Sequence, residues 1–121
     1  MDQSFPPQAR LHDGRDYGRV FHRGVRVHGK WCLVVVAPRP RRGGRRARLG
    51  VTVSTKVDKR AVRRHQLKRW VREWFRRERP EDLHAHDLVV SLKVQAEPVG
   101  HEQLDAELHR LVAKAQAKLR S

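Results

Sequence analysis

Residues 48–79 read RLGVTVSTKVDKRAVRRHQLKRWVREWFRRER, and the hydrophobic period changes part-way through. In the opening RLGVTVS, Leu49, Val51 and Val53 alternate with Arg48, Gly50, Thr52 and Ser54, the pattern of a half-buried strand. From about Lys59 to Arg79 the spacing becomes helical, with Leu67, Val71 and Phe75 in one stripe and Val62, Trp70 and Trp74 interleaved in the same run. Asp58 stands ready as an N-cap and Pro80 lies beyond the end. Arg60, Arg64, Lys68 and Arg72 recur every four residues, so they form one basic ridge, flanked by Arg69 and Arg76. Like charges at this spacing repel by a few tenths of a kcal/mol per pair, a cost that an anionic partner removes. The apolar side anchors the helix, and the basic side is left to meet an anion.

Working outward, DLVVSLKV (87–94) is a second strand, with Leu88, Val90, Leu92 and Val94 on one face. Strand 48–54, the basic helix and strand 87–94 make a β-α-β unit whose strands are expected to lie parallel. Upstream, WCLVVVA (31–37) is a β-branched buried strand that can pair as a hairpin with a short strand near Arg23–His28. Leu11, Tyr17, Val20 and Phe21 suggest a short first helix, with Asp13 as cap and Gly24 as stop. PRPRRGGRR (38–46) is expected to be a flexible basic flap and EPVG (97–100) a turn. Glu102 to about Leu119 is a last helix, carrying Leu104, Leu108, Leu111, Val112, Ala115 and Leu119 at spacings of three and four. Residues 1–10, with Pro6-Pro7, are expected to be a mobile arm, and 11–121 one domain. The fold class is α+β: a small mixed sheet of about four strands covered by helices.

The 121 residues hold 28 Lys+Arg against 13 Asp+Glu, a formal charge of +15 that draws polyanions and above all nucleic acid. A solvated helix face would account for the basic run alone but not for this net charge. The single cysteine, Cys32, excludes an internal disulfide and a cysteine-based zinc cluster; inside an apolar strand it is a small hydrophobe rather than a nucleophile. The longest apolar run, Trp31 to Ala37, is far too short to span a membrane, and the N-terminus lacks the apolar core of a signal peptide. A cytoplasmic protein with no membrane contact is expected. His84 and His86 have no third ligand by spacing, so no metal site is expected; His65 and Glu73 lie more than about 10 Å apart along one helix, too far to act as a nuclease pair. No zinc-finger spacing, basic zipper, helix-turn-helix, RNP or KH motif is present to separate RNA from DNA.

The stretch from Arg48 to Phe75 resembles the signature region of the protein subunit of bacterial ribonuclease P, in which R-x-G-x-x-V-S-K-K precedes A-V-x-R-N-R-x-K-R-x-x-R-E. Arg48, Gly50, Val53, Ser54, Lys56, Ala61, Val62, Arg64, Lys68, Arg69, Arg72 and Glu73 carry the match, and RDYGRVFHRG (15–24) resembles the family's D-F-x-x-V-F-x-x-G, with Tyr17 where Phe is usual. The resemblance implies a ribosomal-protein-like two-layer sandwich with a left-handed β-α-β crossover, against the usual right-handed preference. It further implies a non-catalytic subunit, with no catalytic residue and no cofactor of its own. Its partners would be a catalytic RNA, which uses magnesium to cleave the 5′ leader, and precursor tRNA; no protein partner is implied. Arg64, His65, Gln66, Lys68, Arg69 and Arg72 would dock on that RNA. Tyr17, Phe21 and Trp31 would line a cleft for the single-stranded leader, the alternative for Tyr17 and Phe21 being ordinary core packing. Three departures stand out: Arg64-His65-Gln66 replaces the R-N-R triplet, Thr55 stands where Lys is usual, and Asp58-Lys59-Arg60 is one residue longer than the usual connection. Arg63 or Arg60 is the expected substitute for the charge missing at Gln66. The competing function is a ribosome-associated or general structured-RNA-binding protein on the same fold.

Overall fold

The computed structural model describes residues 11, 14–39, 47–78, 86–96 and 99–120. The expected N-terminal arm, the Asp13 cap, most of the basic flap, Arg79, Pro80, His84 and the Glu97-Pro98 half of the turn lie outside the described residues. The elements run α1 (Gly14–Arg23), β1 (Val25–His28), β2 (Cys32–Pro38), β3 (Arg48–Thr52), α2 (Ala61–Glu78), β4 (His86–Leu92), a 3₁₀ turn (Val94–Ala96) and α3 (His101–Arg120). The sheet order is β1-β2-β4-β3. β1 and β4 both pair antiparallel with β2, while β3 and β4 are parallel, because α2 carries the chain back to the starting end of the sheet between them.

Each strand divides its residues between two faces. Val27, Cys32, Val34, Val36, Leu49, Val51, Leu88, Val90 and Leu92 meet α2 and α3 in the main core, joined by Leu67, Val71, Trp74 and Phe75 from α2 and Leu104, Leu108, Leu111, Val112 and Ala115 from α3. Each fully buried leucine of this layer contributes about 1.5–3 kcal/mol of apolar transfer. On the opposite face Val35, Ala37 and Val89 pack with Val20 of α1 and with Leu11, whose backbone N–H donates to Leu49 O at 3.0 Å. Central β2 is covered on both sides, which is why CLVVVA is continuously apolar where RLGVTVS alternates.

Two element ends differ from the expectation. α2 begins at Ala61 rather than Lys59: Asp58 Oδ1 accepts the Arg60 backbone N–H at 2.8 Å in an Asx turn, and the helical ladder opens with Arg64 N–H to Arg60 O at 3.2 Å. Val94 does not extend the apolar face of β4 but is exposed in the 3₁₀ turn, since the chain leaves the sheet at Lys93, whose N–H donates to Trp31 O at 2.8 Å. Ala96 then takes the next core position.

Glu107 is a fully buried carboxylate on the core side of α3. It accepts the backbone N–H groups of Trp31 at 2.9 Å and Cys32 at 3.1 Å, closing the turn from β1 to β2. Gly29 sits against this carboxylate and against Leu111, where any side chain would collide with both. Burial, reinforced by the Glu107 charge and hydrogen bond, pushes the Cys32 thiol well above its ordinary value and keeps it protonated.

Candidate nucleic-acid interface

The face of the sheet under α1 is organised in rows set by strand register. Ala37, Asp87 and Arg48 form one row, and Arg26, Val35, Val89 and Gly50 the next. His28, Leu33, Ser91 and Thr52 form a third. Asp87, fully buried, anchors the first row: Arg48 grips it in a two-point fork, Nε to Oδ1 and Nη2 to Oδ2, each at 2.7 Å. Arg19 of α1 donates from Nη2 to the same carboxylate and from Nη1 to Pro38 O at 2.6 Å. Asp16 lies 3.5 Å from Arg19 and 3.7 Å from Arg48, and Arg39 lies 3.8 Å from Asp87. Donating hydrogen bonds to Asp87 raises the Arg48 guanidinium above its ordinary value, while burial lowers Arg39. This charge cluster clamps α1 onto the sheet.

In the second row α1 lays Tyr17 directly on Gly50, where a Cβ would stand 2.6 Å from Tyr17 Cε1. Burial raises the Tyr17 phenol above its ordinary value, opposed by a hydrogen bond with the Val51 backbone and by the charge of Arg72. Arg72 belongs to α2, so the basic helix and the aromatic face approach one another around the β3 edge. Phe21, half-buried, packs on the same cluster as Tyr17, with Arg26 5.8 Å from its ring centroid and donating to Phe21 O at 2.6 Å.

Trp31 is not on this face. It packs half-buried against the main core, with Lys30 5.3 Å from its ring centroid, because Glu107 holds the turn before β2 toward α3. Tyr17 and Phe21 therefore share a surface that Trp31 does not.

Along α2 the basic residues play unequal parts. Arg64 Nη1 donates to the carbonyls of Asp58 and Lys59, both at 2.9 Å, and braces the start of the helix. Arg60 is held by Asp58 through Nε at 3.0 Å and Nη2 at 2.7 Å; these bonds pull the Asp58 carboxyl down to about 2. Arg63 is turned inward, bonding Gln66 Oε1 at 2.6 Å and Val99 O at 2.8 Å and lying 5.2 Å from the Trp70 ring, which in turn stacks on His101. Arg63 thus ties α2 to the chain just before α3 instead of replacing the charge missing at Gln66. His65 and Arg69 are exposed, Lys68 and Arg72 are half-buried, and Arg69 lies 3.8 Å from Glu73. Val62 is 81% exposed among them, an apolar side chain left on the basic surface. Among the described residues no cluster of three or more His, Cys, Asp or Glu could hold a metal, and no helix is long and apolar enough to cross a membrane.

The Ribonuclease P family model matches residues 5–116. The chain belongs to the ribonuclease P protein family. It is 37% identical over 120 residues to the ribonuclease P protein component of Chromohalobacter salexigens, covering 98% of this chain and 91% of that one. It is likewise 37% identical over 114 residues to that of Aromatoleum aromaticum, covering 94% and 92%. Among solved structures, the RNase P protein from Thermotoga maritima superposes with a TM-score of 0.71 at 31% identity, covering 84% of this chain and 93% of that one. The Staphylococcus aureus RNase P protein gives 0.78 at 25% identity, covering 88% and 94%.

The strand half of the ribonuclease P signature has a structural explanation here. Arg48 clamps Asp87 and Gly50 seats Tyr17, so both residues build the aromatic face from beneath. Sequence reading missed Asp87, Arg19, Glu107 and the Thr52–Ser91 pair. The alternation of β3 already put Thr52 on the face of Arg48 and Gly50, but the partners of all four come from elements distant in sequence.

Proposed function

We propose that the protein is the protein component of ribonuclease P and assists a catalytic RNA in removing the 5′ leader of precursor tRNA in the cytoplasm. In this reading Arg60 and the exposed side of α2, through Arg64, His65, Lys68, Arg69 and Arg72, dock on the catalytic RNA, and Tyr17 and Phe21 stack on leader bases. The observation that carries it is the meeting of two unlike surfaces at β3: an aromatic face seated on Gly50, and a basic helix packed on the opposite side of the same strand through Leu49 and Val51. Clustered arginines neutralise phosphates and release counterions, while aromatic rings take unpaired bases without regard to sequence. The protein supplies no catalytic residue; magnesium serves the RNA.

Reconstitution tests this. With its cognate catalytic RNA at low magnesium, the protein is expected to stimulate leader removal strongly and to favour leader-bearing substrate over mature tRNA. Tight RNA binding without stimulation would favour a ribosome-associated or general RNA-binding role, and leader removal by protein freed of RNA would refute the non-catalytic role.

A further inference from the structure

α1 roofs only two of the three rows on its face of the sheet. Val35, Val89, Gly50, Ala37 and Asp87 beneath it are buried, whereas Leu33, Ser91 and Thr52 are half-buried and His28 is exposed. The third row is thus an open shelf one strand-step beyond Tyr17 and Phe21. At its β3–β4 end Thr52 Oγ1 donates to Ser91 Oγ at 2.9 Å, the two residues being direct partners in the parallel ladder. A hydroxyl has one proton and two lone pairs. The pair therefore uses one proton internally and still presents a donor and acceptors side by side.

We propose that the Thr52–Ser91 hydroxyl pair is a further binding contact of this face, holding a neutral donor–acceptor group of single-stranded RNA laid across the shelf. The occupant follows from charge and shape. The chain carries +15, and Arg26 on β1 and Arg72 beyond β3 put cations at both rims, where a polyanionic backbone can run. Inside the His28 rim the shelf is floored by Leu33, Ser91 and Thr52, all uncharged, so what sits over them is a sugar or base rather than a phosphate. A ribose 2′-hydroxyl and a base edge both donate and accept; both match the pair. The inference rests on the leader-in-cleft reading and names residues that reading does not require.

The test uses the reconstituted ribonucleoprotein, comparing affinity for leader-bearing precursor with that for mature tRNA. Thr52→Val and Ser91→Ala keep strand-compatible shapes, and each is expected to weaken precursor binding about 3- to 10-fold, the size of one net hydrogen bond, with mature tRNA binding unchanged. The double variant should lose little more than either single one, because the hydroxyls act as a unit. A 2′-deoxy leader that reproduces the loss with the unaltered protein, and adds none to Thr52→Val, identifies the ribose; base substitutions that do so identify the base edge. Phe21→Ala run alongside separates the two levels. A selective loss with Phe21→Ala but none with Thr52→Val or Ser91→Ala overturns the hydroxyl contact alone, and no loss in any of the three overturns the cleft reading with it. Loss of catalytic-RNA binding in both hydroxyl variants would make the pair structural and overturn the proposal.

Discussion

Gly50→Ala tests the seating of Tyr17. The added Cβ would stand 2.6 Å from Tyr17 Cε1 and 2.7 Å from Cζ and Oη, against an ordinary carbon contact of about 3.5–4.0 Å, so the ring must move by about 1 Å. Tyr17 is bonded to the Val51 backbone and packed on the α1-side cluster, so the shift strains α1 itself. Overpacking of this kind costs about 1–3 kcal/mol, and replacing glycine inside a strand returns about 0.5–1 kcal/mol of chain entropy. The net destabilisation is about 0–2.5 kcal/mol. At this chain length each kcal/mol lowers Tm by roughly 3–6 °C. The assay is a double-mutant cycle by thermal unfolding with Tyr17→Ala. In the Tyr17→Ala background Gly50→Ala should turn neutral or stabilising, giving a coupling of about 1–3 kcal/mol. Equal costs in both backgrounds would refute the contact. Gly50→Ala should also reduce the preference for leader-bearing substrate while leaving catalytic-RNA affinity intact, since the docking face of α2 is untouched.

Arg64→Ala and Lys68→Ala should each weaken RNA binding and flatten the dependence of log affinity on log salt by about 0.7–0.9, one released counterion apiece; an unchanged slope in both would remove α2 from the interface. Glu107→Ala should cost about 2–4 kcal/mol in chemical denaturation, because the Trp31 and Cys32 N–H groups lose their acceptor in a buried turn, and Glu107→Gln should recover part of it. Tyr17 is the only tyrosine, so its phenolate absorbance reports one group; burial predicts ionisation above the ordinary value near 10. Because the folded value is the raised one, Tyr17 stabilises fully below that ordinary value and loses its contribution as pH rises through the folded value. An ordinary titration midpoint in the folded protein would contradict the burial of this ring.

Local pattern alone determined much of this protein. A period of two in RLGVTVS, a helical period from about Lys59, the continuous apolar run of β2 and the stripe of α3 each follow from which faces are covered, and the +15 charge with its ridge on α2 follows from composition. Element ends were less legible, because Asp58 captures the Arg60 N–H and Lys93 turns out of the sheet toward Trp31. Only the tertiary structure decided which charges serve the fold and which face outward. Arg48 and Arg63 look like their neighbours in sequence, yet one is spent on Asp87 and the other on Gln66 and Val99. Likewise Trp31 reads like Tyr17 and Phe21 as an aromatic candidate, but Glu107, 76 residues away, pulls its turn to the other side of the sheet. A side chain's neighbours across the sheet are set by register and by long-range pairing, and no spacing within one element encodes them.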